Sequence, residues 1–374
     1  MKSMIRLSKS CVGEEEKIAL ARVIDEGYLG MGKEVQLFEQ EITEFIGTSL
    51  SVVCVSTGTA ALHLALESLE IGPGDEVLIP SITYVASFQA VAATGAKPIP
   101  CDVTTDRVFI DLKDAEKKLT ERTKVIMPVH YGSNSMGMEA VYDFAKKFNL
   151  RVVEDAAHSF GCYRNGTRIG TSGDIICFSF DGIKNITSGE GGAVLTGDHI
   201  LARRIMDLRL LGVARDTEMR FSGKRSWDFD VQYRGYRYHM SNLMAAIGRE
   251  QLKKFPRFSD HRQNCVSRYI AELKGISSIE LLRFEYSEIT PHIFVIKIMN
   301  GYRDALRKFL EKQGIETGLH YKPNHRLTLF HIDDCLENAE KLDSELISLP
   351  IHPDLSDEDQ TLIISSIKQF FNYK

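Results

Sequence analysis

The sequence predicts an α/β fold in which a mostly parallel, mixed sheet of seven strands lies between layers of helices, followed by a smaller C-terminal α+β domain. Two observations predict it. Short apolar runs alternate with helical patterns between residues 51 and 196, and this rhythm changes after about residue 240. Such alternation is typical of a parallel sheet that is covered on both faces. Ligands of these sheets bind beyond the carboxyl ends of the strands, so we expect the functional residues in the connecting loops.

Seven apolar runs have the length of strands. Each is bounded by turn residues or by a helical pattern, as buried strands are. The runs lie at residues 51–55, 76–80, 98–103, 124–131, 150–154, 174–180 and 193–196. Helical patterns follow at 60–69, 85–94 and 138–149, and Gly95 can end the second of these because glycine tolerates positive φ.

The C-terminal region has a different pattern. Ser241 can cap a helix that reaches residue 252, and Ser356 can cap the last helix, at 357–371. Between these two, the pattern predicts a helix at 259–273, strands near 279–282 and 292–298, and a helix at 303–313. We therefore predict a large domain over residues 1–250 and a small domain over residues 251–374.

The composition excludes several classes of protein. The chain of 374 residues has 46 Lys+Arg and 51 Asp+Glu, a formal charge of -5, so it lacks the basic excess that binds nucleic acid. No apolar run reaches the roughly 20 residues that cross a bilayer, and residues 1–6 lack the apolar core of a signal peptide. Seven scattered cysteines without a C-x-x-C pair are typical of free thiols. We expect a cytoplasmic protein with no nucleic-acid, membrane or metal partner.

Lys184 lies in a loop dense in Gly, Ser and Thr that follows an apolar strand. The surrounding run is Phe180-Asp181-Gly182-Ile183-Lys184-Asn185-Ile186-Thr187-Ser188-Gly189-Glu190. A positioned lysine amine with a lowered pKa can form a Schiff base with a carbonyl compound. A lone loop lysine is otherwise a solvated surface residue, so the neighbouring motifs decide between the two interpretations.

Asp155 stands at the end of another apolar strand, in the block Glu154-Asp155-Ala156-Ala157-His158. A carboxylate there suits a cationic ring nitrogen and would keep a pyridinium protonated. The alternative is an aspartate that caps a helix. His158 would lie one helical turn further on, where it could orient the carboxylate, face a ring or pack in the core.

The third feature is Ser56-Thr57-Gly58-Thr59, between a strand and a helix. Backbone amides at a helix start bind phosphate, and the hydroxyls of Thr57, Thr59 and Ser179 are further donors, although Ser and Thr cap many helices. The fingerprint G-x-G-x-x-G is missing, which argues against a Rossmann oxidoreductase. Phosphate donors, an acid for a ring nitrogen and a lysine for an aldehyde together indicate a pyridoxal phosphate (PLP) site.

Further motifs extend along almost the whole chain. They are Gly27-Tyr28-Leu29-Gly30-Met31-Gly32, Ser56-Thr57-Gly58-Thr59-Ala60-Ala61-Leu62, Pro80-Ser81-Ile82-Thr83-Tyr84-Val85-Ala86-Ser87, Gly189-Glu190-Gly191-Gly192, Met240-Ser241, His320-Tyr321-Lys322-Pro323 and Ser348-Leu349-Pro350-Ile351-His352-Pro353. With the lysine loop and the block around Asp155, they resemble the sugar aminotransferases of the DegT/DnrJ/StrS type. That family has the fold-type I scaffold of aspartate aminotransferase, whose large domain binds PLP.

The resemblance implies roles that agree with this chemistry. Lys184 would bind the cofactor covalently and move a proton between the cofactor and the substrate carbon, while Asp155 would pair with the pyridine nitrogen. The other implied cofactor contacts are Thr57, Gly58, Thr59 and Ser179 at the phosphate, Tyr84 stacked on the ring, and His158 where the family has Gln or His beside the ring.

One motif departs from the family. The family commonly reads Gly-Tyr-Asn-Tyr-Arg-Met-Ser where this chain has Gly235-Tyr236-Arg237-Tyr238-His239-Met240-Ser241. The asparagine usually reaches the cofactor phosphate of the partner subunit. We keep that contact as a hypothesis for Arg237, because a guanidinium is also a good phosphate ligand. The role of His239 stays open.

The resemblance implies an aminotransferase that acts on a nucleotide-linked keto-sugar and takes the amino group of L-glutamate, leaving 2-oxoglutarate. We expect a dTDP- or UDP-linked 4-keto-6-deoxyhexose and a 4-amino sugar for a surface glycan such as the O-antigen of lipopolysaccharide. A 3-keto sugar is the alternative substrate. Sugar dehydratases of the family have His in place of the lysine, and non-catalytic regulators lose the lysine or the acid, so Lys184 and Asp155 argue against both.

The resemblance also implies a homodimer with shared active sites, and two-fold dimers are the commonest closed oligomer. Arg237 and the loop at 28–32, with Tyr28 and Met31, would serve the neighbouring subunit's site. His320 and Tyr321 would close over the sugar, or would belong to a structural strand and turn.

Overall fold

The fold is that of a computed structural model, which describes residues 4–225, 227–231 and 233–372. The described residues do not include residues 1–3, where the predicted large domain begins, or residues 373–374, where the predicted small domain ends. Residues 226 and 232 are also outside them. The strands are β1 Ser51–Val55, β2 Glu76–Pro80, β3 Lys97–Cys101, β4 Thr123–Ile126, β5 Arg151–Asp155, β6 Tyr163–Arg164, β7 Thr167–Arg168, β8 Ile175–Ser179, β9 Gly192–Thr196, β10 Ile279–Leu281, β11 Phe294–Ile298 and β12 Leu346–Leu349. The α-helices are α1 Glu14–Asp25, α2 Lys33–Ile46, α3 Gly58–Ser68, α4 Ala86–Thr94, α5 Leu112–Lys117, α6 Met138–Phe148, α7 His199–Leu208, α8 Asp216–Phe221, α9 Asn242–Leu273, α10 Arg303–Lys312, α11 Glu337–Glu345 and α12 Asp357–Phe370.

The large sheet has seven strands in the order β1-β9-β8-β5-β4-β2-β3. Strands β3, β2, β4, β5 and β8 are mutually parallel, and β9 runs antiparallel to both of its neighbours. The predicted mostly parallel, mixed sheet is therefore confirmed. The carboxyl ends of β5 and β8 lie side by side, because Asp155 is in register with Cys177.

Helices bury both faces of this sheet. On one face, Val53 and Val55 of β1 share a core with residues of α3, α4 and α7. On the other face, Val52 and Cys54 share a core with α2 and α9, and α5 and α6 cover the β2–β4–β5 part of the sheet. Strands that are buried on both faces have apolar residues at consecutive positions, which is why these strands were visible as apolar runs.

Two predicted elements differ from the structure. The run predicted as a strand at 124–131 is shorter as a strand, because β4 ends at Ile126, Pro128 has no N–H for the ladder and a turn begins at Tyr131. The run still follows its neighbours, since the amide of Met127 donates to the Leu78 carbonyl and that of His130 to the Asp155 carbonyl. The helices predicted at 241–252 and 259–273 form one helix, α9, with Pro256 inside it. The missing N–H of Pro256 costs α9 one backbone hydrogen bond. Packing of Phe255 and Val266 in two separate cores holds the helix on both sides of that position.

The C-terminal region has its own small sheet, of antiparallel strands in the order β10-β11-β12. Helices α10 and α12 and the second half of α9 share a core with this sheet. The start of the described chain joins this region, because Ile5 forms a β-bridge with Ile315. The predicted boundary at residue 250 falls within α9 and stays a prediction.

Among the described residues, no helix is both long enough and apolar enough to cross a bilayer.

Candidate active site

A cavity of about 420 Å³ opens at the carboxyl ends of the parallel strands. The turn between β1 and α3, the loop after β2 and the ends of β5 and β8 form its walls, together with two segments of the C-terminal region. The predicted site residues that line it are Thr57, Gly58, Thr59, Tyr84, Asp155, His158, Ser179, Lys184, His320 and Tyr321. The fold thus brings together residues that are up to 264 positions apart (57 to 321).

The turn from β1 into α3 offers an anion site. Thr57 caps α3, and its hydroxyl accepts a hydrogen bond from the amide of Ala60 at 2.9 Å. Gly58 is in close contact with Ser179, since a Cβ at this glycine would lie 2.8 Å from the Ser179 Cβ and 2.9 Å from its Oγ. Free amides of the first helical turn and the positive end of the helix dipole favour a phosphate at this place.

Asp155 ends β5, with about 5% of its surface exposed. Its Oδ2 accepts a hydrogen bond from the Ser87 hydroxyl at 2.7 Å, and its Oδ1 accepts one from the Ala157 amide at 3.2 Å. Burial raises the pKa of this carboxyl, while Ser87, Ala157 and the charge of Lys184 act in the opposite direction. The group is therefore a buried carboxylate, fixed in orientation, whose charge a bound cation would stabilise.

The preceding residue, Glu154, has a different role because side chains alternate across a strand. Its buried carboxylate lies 3.0 Å from Nε2 of His130 and accepts hydrogen bonds from Arg164 at 2.9 Å and the Tyr142 hydroxyl at 2.5 Å. These contacts hold the end of β5 in place. Glu154 therefore has a structural role, while its neighbour Asp155 faces the cavity.

His158 lines the cavity but does not hydrogen-bond to Asp155. Its Nδ1 accepts the amide of Gly132 at 3.3 Å, which places the ring proton on Nε2, and Nε2 lies 3.2 Å from the Tyr321 hydroxyl. Burial, helped by the charge of Lys184, lowers the pKa of His158 well below its usual value. The neutral ring joins the cavity wall at Gly132 to the wall at Tyr321. Of the three roles considered for His158, orienting Asp155, facing a ring or packing in the core, these contacts favour the second.

Lys184 extends into the cavity from the loop after β8. Burial lowers the pKa of its amine to about 8, although Asp181 and Asp155 act to raise it. A larger fraction of this amine is unprotonated near neutral pH than of an ordinary lysine, and the free amine is the form that attacks a carbonyl carbon. Its Nζ lies 3.4 Å from Nε2 of His292.

The mouth of the cavity has two aromatic side chains. Tyr84 is 59% exposed, and its ring centre lies 5.7 Å from that of Tyr321. The segment that carries Tyr321 is fastened to the segment before Tyr84, because Asn324 donates to the carbonyls of Ser81 and Thr83 at 3.1 and 2.7 Å. Next to Tyr321, Nδ1 of His320 is engaged by the Ser348 hydroxyl at 2.7 Å, so Nε2 is its nitrogen available to a ligand.

Arg237 does not line this cavity of its own chain. Tyr236 and Tyr238 stack on each other and pack against His63 of α3. By alternation, Arg237 and His239 face the other way, into a separate cavity of about 180 Å³ whose lining includes Arg220 and Arg225. Burial and the charges of Arg220, Arg237 and Arg209 lower the pKa of His239 to about 4.

Tyr28 and Met31 are also outside the cavity. Met31 is fully buried in the core that includes Val35 and Phe38 of α2. The ring of Tyr28 covers Gly32, whose missing Cβ would lie 2.7 Å from it.

Some residues of the site were not identified from the sequence. Ser87, which donates to Asp155 from behind the cavity wall, lies in one of the family motifs but was given no role. His292, which lines the cavity, belonged to the predicted strand at 292–298. Asp181 and Glu190, which flank Lys184 in sequence, also line the cavity. A histidine before an apolar strand has no local signal of function, since its neighbour Lys184 is 108 positions away.

Comparisons with known proteins agree with this arrangement. A family model described as the DegT/DnrJ/EryC1/StrS aminotransferase family matches residues 10–368. The uncharacterized protein MJ1066 of Methanocaldococcus jannaschii is 32% identical over 371 residues, 96% of either chain. The aminotransferase TlmJ from Streptoalloteichus hindustanus superposes with a TM-score of 0.91 at 30% identity, covering 98% of both chains. The PLP form of Spr1654 from Streptococcus pneumoniae, assigned as a sugar aminotransferase, gives 0.90 at 28% identity over 99% of both chains.

Proposed function

Because the chain belongs to the DegT/DnrJ/EryC1/StrS aminotransferase family, we propose that it aminates a nucleotide-linked keto-sugar in the cavity around Lys184. The chain is a PLP-dependent sugar aminotransferase. The proposal adds L-glutamate as the donor, a dTDP- or UDP-linked 4-keto-6-deoxyhexose as the acceptor, and a 4-amino sugar for a surface glycan as the product. The observation that carries it is the shared cavity of Lys184, Asp155 and Gly58.

The residues of the cavity fit PLP. The buried carboxylate of Asp155 forms no ion pair within residues 4–225, 227–231 and 233–372, and burial raises its pKa, so a protonated ring nitrogen would supply the missing cation. Among the described residues, the amides of Gly58 and Thr59 at the start of α3 have no hydrogen-bond acceptor, so they can bind a phosphate. The missing Cβ of Gly58 allows Ser179 to lie close beside them. Lys184 offers a partly deprotonated amine.

When bound, PLP supplies an aldehyde for the lysine and a ring that withdraws electrons from the reacting carbon. Lys184 would take a proton from the donor carbon and deliver it to the cofactor, and in the second half of the reaction it would move a proton from the cofactor to the sugar carbon that receives the amino group. Asp155 keeps the ring nitrogen protonated, and Ser87 keeps Asp155 in place. Tyr84 would hold the ring by stacking, and His158 would contribute a neutral wall that does not compete for the charge of Asp155.

The acceptor sugar would enter between Tyr84 and Tyr321. Nε2 of His320 is available for a sugar hydroxyl, because Ser348 engages Nδ1. Burial and the charge of Lys184 lower the pKa of His320 to about 4, so near neutral pH the ring is an uncharged hydrogen-bonding group. Such a group suits a hydroxyl better than a phosphate.

The function can be tested by absorbance. PLP is added to the purified protein, and the spectrum is followed while L-glutamate is added. We expect the band of the Lys184-bound cofactor to fall and that of the aminated cofactor to rise. A panel of dTDP- and UDP-linked 4-keto and 3-keto sugars then restores the first band, and NMR of the product assigns the aminated carbon. A lysine-bound band that ignores glutamate would contradict the donor, and no such band at all would contradict the function.

Gly58→Ala should weaken cofactor binding. The new Cβ would overlap Ser179 and push apart the two sides of the phosphate site. Overpacking of this size costs about 1–3 kcal/mol, so we expect the Kd of PLP, measured by titration of cofactor-free protein, to rise about tenfold or more. Gly72→Ala is the matched control, because its Cβ would meet nothing closer than the Thr94 carbonyl at 3.9 Å. Equal affinities of the two variants would remove the turn at Gly58 from the phosphate site.

We further propose that the active unit is a homodimer in which Arg237 serves the partner's site. Arg237 faces away from the cavity of its own chain, and Phe229, which lines the same small cavity as Arg237, is 56% exposed. Trp227, two residues before Phe229 in the chain, is 86% exposed. Light scattering should give twice the mass of the chain.

Mixed dimers test the shared site. Lys184→Ala and Arg237→Ala should each be inactive or nearly so, but refolding them together should recover about a quarter of the wild-type sites, because half of the dimers pair one of each and contain one intact site. No recovery from a stable dimer would place Arg237 outside the partner's site, and an active monomer would exclude shared sites altogether.

A further inference from the structure

His292 is a buried residue of the cavity that the proposed mechanism does not use. It lies two residues before Phe294, the first residue of β11, and about 3% of its surface is exposed. Its Nε2 lies 3.4 Å from Nζ of Lys184. Asp181 and Asp155 act on Lys184 through space, and neither forms an ion pair with it in the described part of the chain. His292 is therefore the hydrogen-bonding side chain closest to the lysine amine.

The backbone of His292 is held from two sides. Its amide donates to Oγ of Ser133 at 3.0 Å, and its carbonyl accepts from Nη1 of Arg262 at 3.1 Å. The same guanidinium donates to the carbonyls of Pro291 at 3.2 Å and Ile351 at 3.3 Å. Because Ser133, Arg262 and Ile351 belong to three separate parts of the fold, they fix His292 without help from Lys184.

The imidazole of His292 is uncharged. Burial lowers its pKa well below the usual value, and the charges of Lys184, His158, Arg262 and His320 act in the same direction. Its ring centre lies 4.5 Å from that of His158. Nδ1 is buried without a hydrogen-bond partner among the described residues, so the contact of Nε2 with Lys184 is the hydrogen bond of this imidazole ring. A neutral ring can share a hydrogen bond with an amine without repelling it.

Resting on the proposed function, we propose that His292 is a positioning residue for Lys184. Its Nε2 holds the lysine amino group by a hydrogen bond whenever that group is not joined to the cofactor. A free lysine side chain has several rotatable bonds, and its desolvated amine would otherwise turn towards Asp181 or Asp155. Held by His292, the amine stays beside the carbon with which it exchanges a proton and remains ready to attack the aldehyde again.

The test measures how fast the lysine captures the cofactor. Cofactor-free protein is mixed with PLP in a stopped-flow instrument, and the band of the Lys184-bound cofactor is followed. A hydrogen bond of this kind predicts that His292→Leu slows capture about 10- to 100-fold. His292→Gln, which keeps a polar atom near the position of Nε2, should restore most of the rate. His352→Leu, another buried histidine of the C-terminal region that does not line the cavity, should leave the rate unchanged.

A second measurement separates positioning from a structural role. In the Lys184→Ala background, the Kd of PLP is compared with and without His292→Leu. If His292 acts through Lys184, the two values should agree. Weakening in that background, or an unchanged capture rate for His292→Leu, would overturn the inference while the proposed function stands. A wild-type protein without any lysine-bound band would overturn the proposed function, and the inference with it.

Discussion

Lys184→Ala should reduce amino transfer by about 10³-fold or more, because the variant loses both the amine that binds the cofactor and the group that moves the proton. The fold and the phosphate site do not depend on this side chain, so the variant should still bind PLP. Aminated sugar offered to the variant should stay bound to the cofactor instead of being released. Activity is measured by formation of 2-oxoglutarate, and the bound species by absorbance and mass spectrometry.

Two controls make the result specific to Lys184. Lys113→Ala, at an exposed lysine of α5, should keep full activity. An added small primary amine should rescue part of the proton transfer in Lys184→Ala. The charge of Lys184 also lowers the pKa of His158, His292 and His320, so loss of the charge should raise all three, as measured by NMR titration. Normal turnover by Lys184→Ala would refute the assignment of the lysine.

Asp155→Asn should reduce activity by about 10²- to 10⁴-fold while the fold is kept. An amide has nearly the shape of a carboxylate but cannot stabilise a positive charge on the ring nitrogen, so the ring would lose its proton and withdraw electrons less strongly. The amide oxygen can still accept the hydrogen bond of the Ala157 amide, and the amide NH2 group, in place of Oδ2, can donate to the Ser87 hydroxyl. The measurements are kcat and the pH dependence of the cofactor spectrum. Near-normal kcat would remove Asp155 from the mechanism.

The same variant should make the cofactor-free protein more stable near neutral pH. Burial raises the pKa of Asp155 in the folded chain above its unfolded value, so the stability that this group contributes is present at low pH and is lost as the pH rises through the folded pKa. Asparagine avoids the cost of the buried charge. Thermal unfolding without PLP should therefore show a higher Tm for Asp155→Asn than for the wild type, and the difference should shrink in acid. Ser87→Ala is the companion variant, because it removes a donor to the carboxylate and should lower the Tm without cofactor.

Much of the fold could be predicted from the sequence because its signals are local. The strands of the large sheet are buried on both faces, so β1, β2 and β8 stand out as apolar runs in any short window. The continuity of α9 could not be predicted, since proline interrupts most helices and only the two cores on either side of Pro256 show why this helix continues. The chain near Ile5 pairs with Ile315, a contact that no local pattern can reveal.

The residues of the candidate site likewise divide into those with a local sequence signal and those defined only by contacts between distant segments. Lys184 and Asp155 could be selected because their residue types suit the chemistry and because each follows an apolar strand. His292 could not, since its meaning comes from a lysine in a distant loop. Arg237 could be selected from its motif, but the direction of its side chain could not be predicted. Its neighbours Tyr236 and Tyr238 pack against α3, so Arg237 faces the other way and points away from the cavity of its own chain.

The continuity of α9 also affects how this protein can be recombined with its relatives. A crossover at residue 250 would cut a helix of 32 residues whose first half packs with the large sheet and whose second half packs with the small one. In a chimaera joined there, the two halves of the helix would have to continue with the same rotation about the helix axis, so that each half still presents its apolar face to its own core. Exchange of the whole segment from Asn242 to Leu273 together with one of the two regions preserves this rotation and keeps one of the two packing surfaces of α9 native. We therefore expect chimaeras with crossovers outside α9 to fold more often than those joined at residue 250.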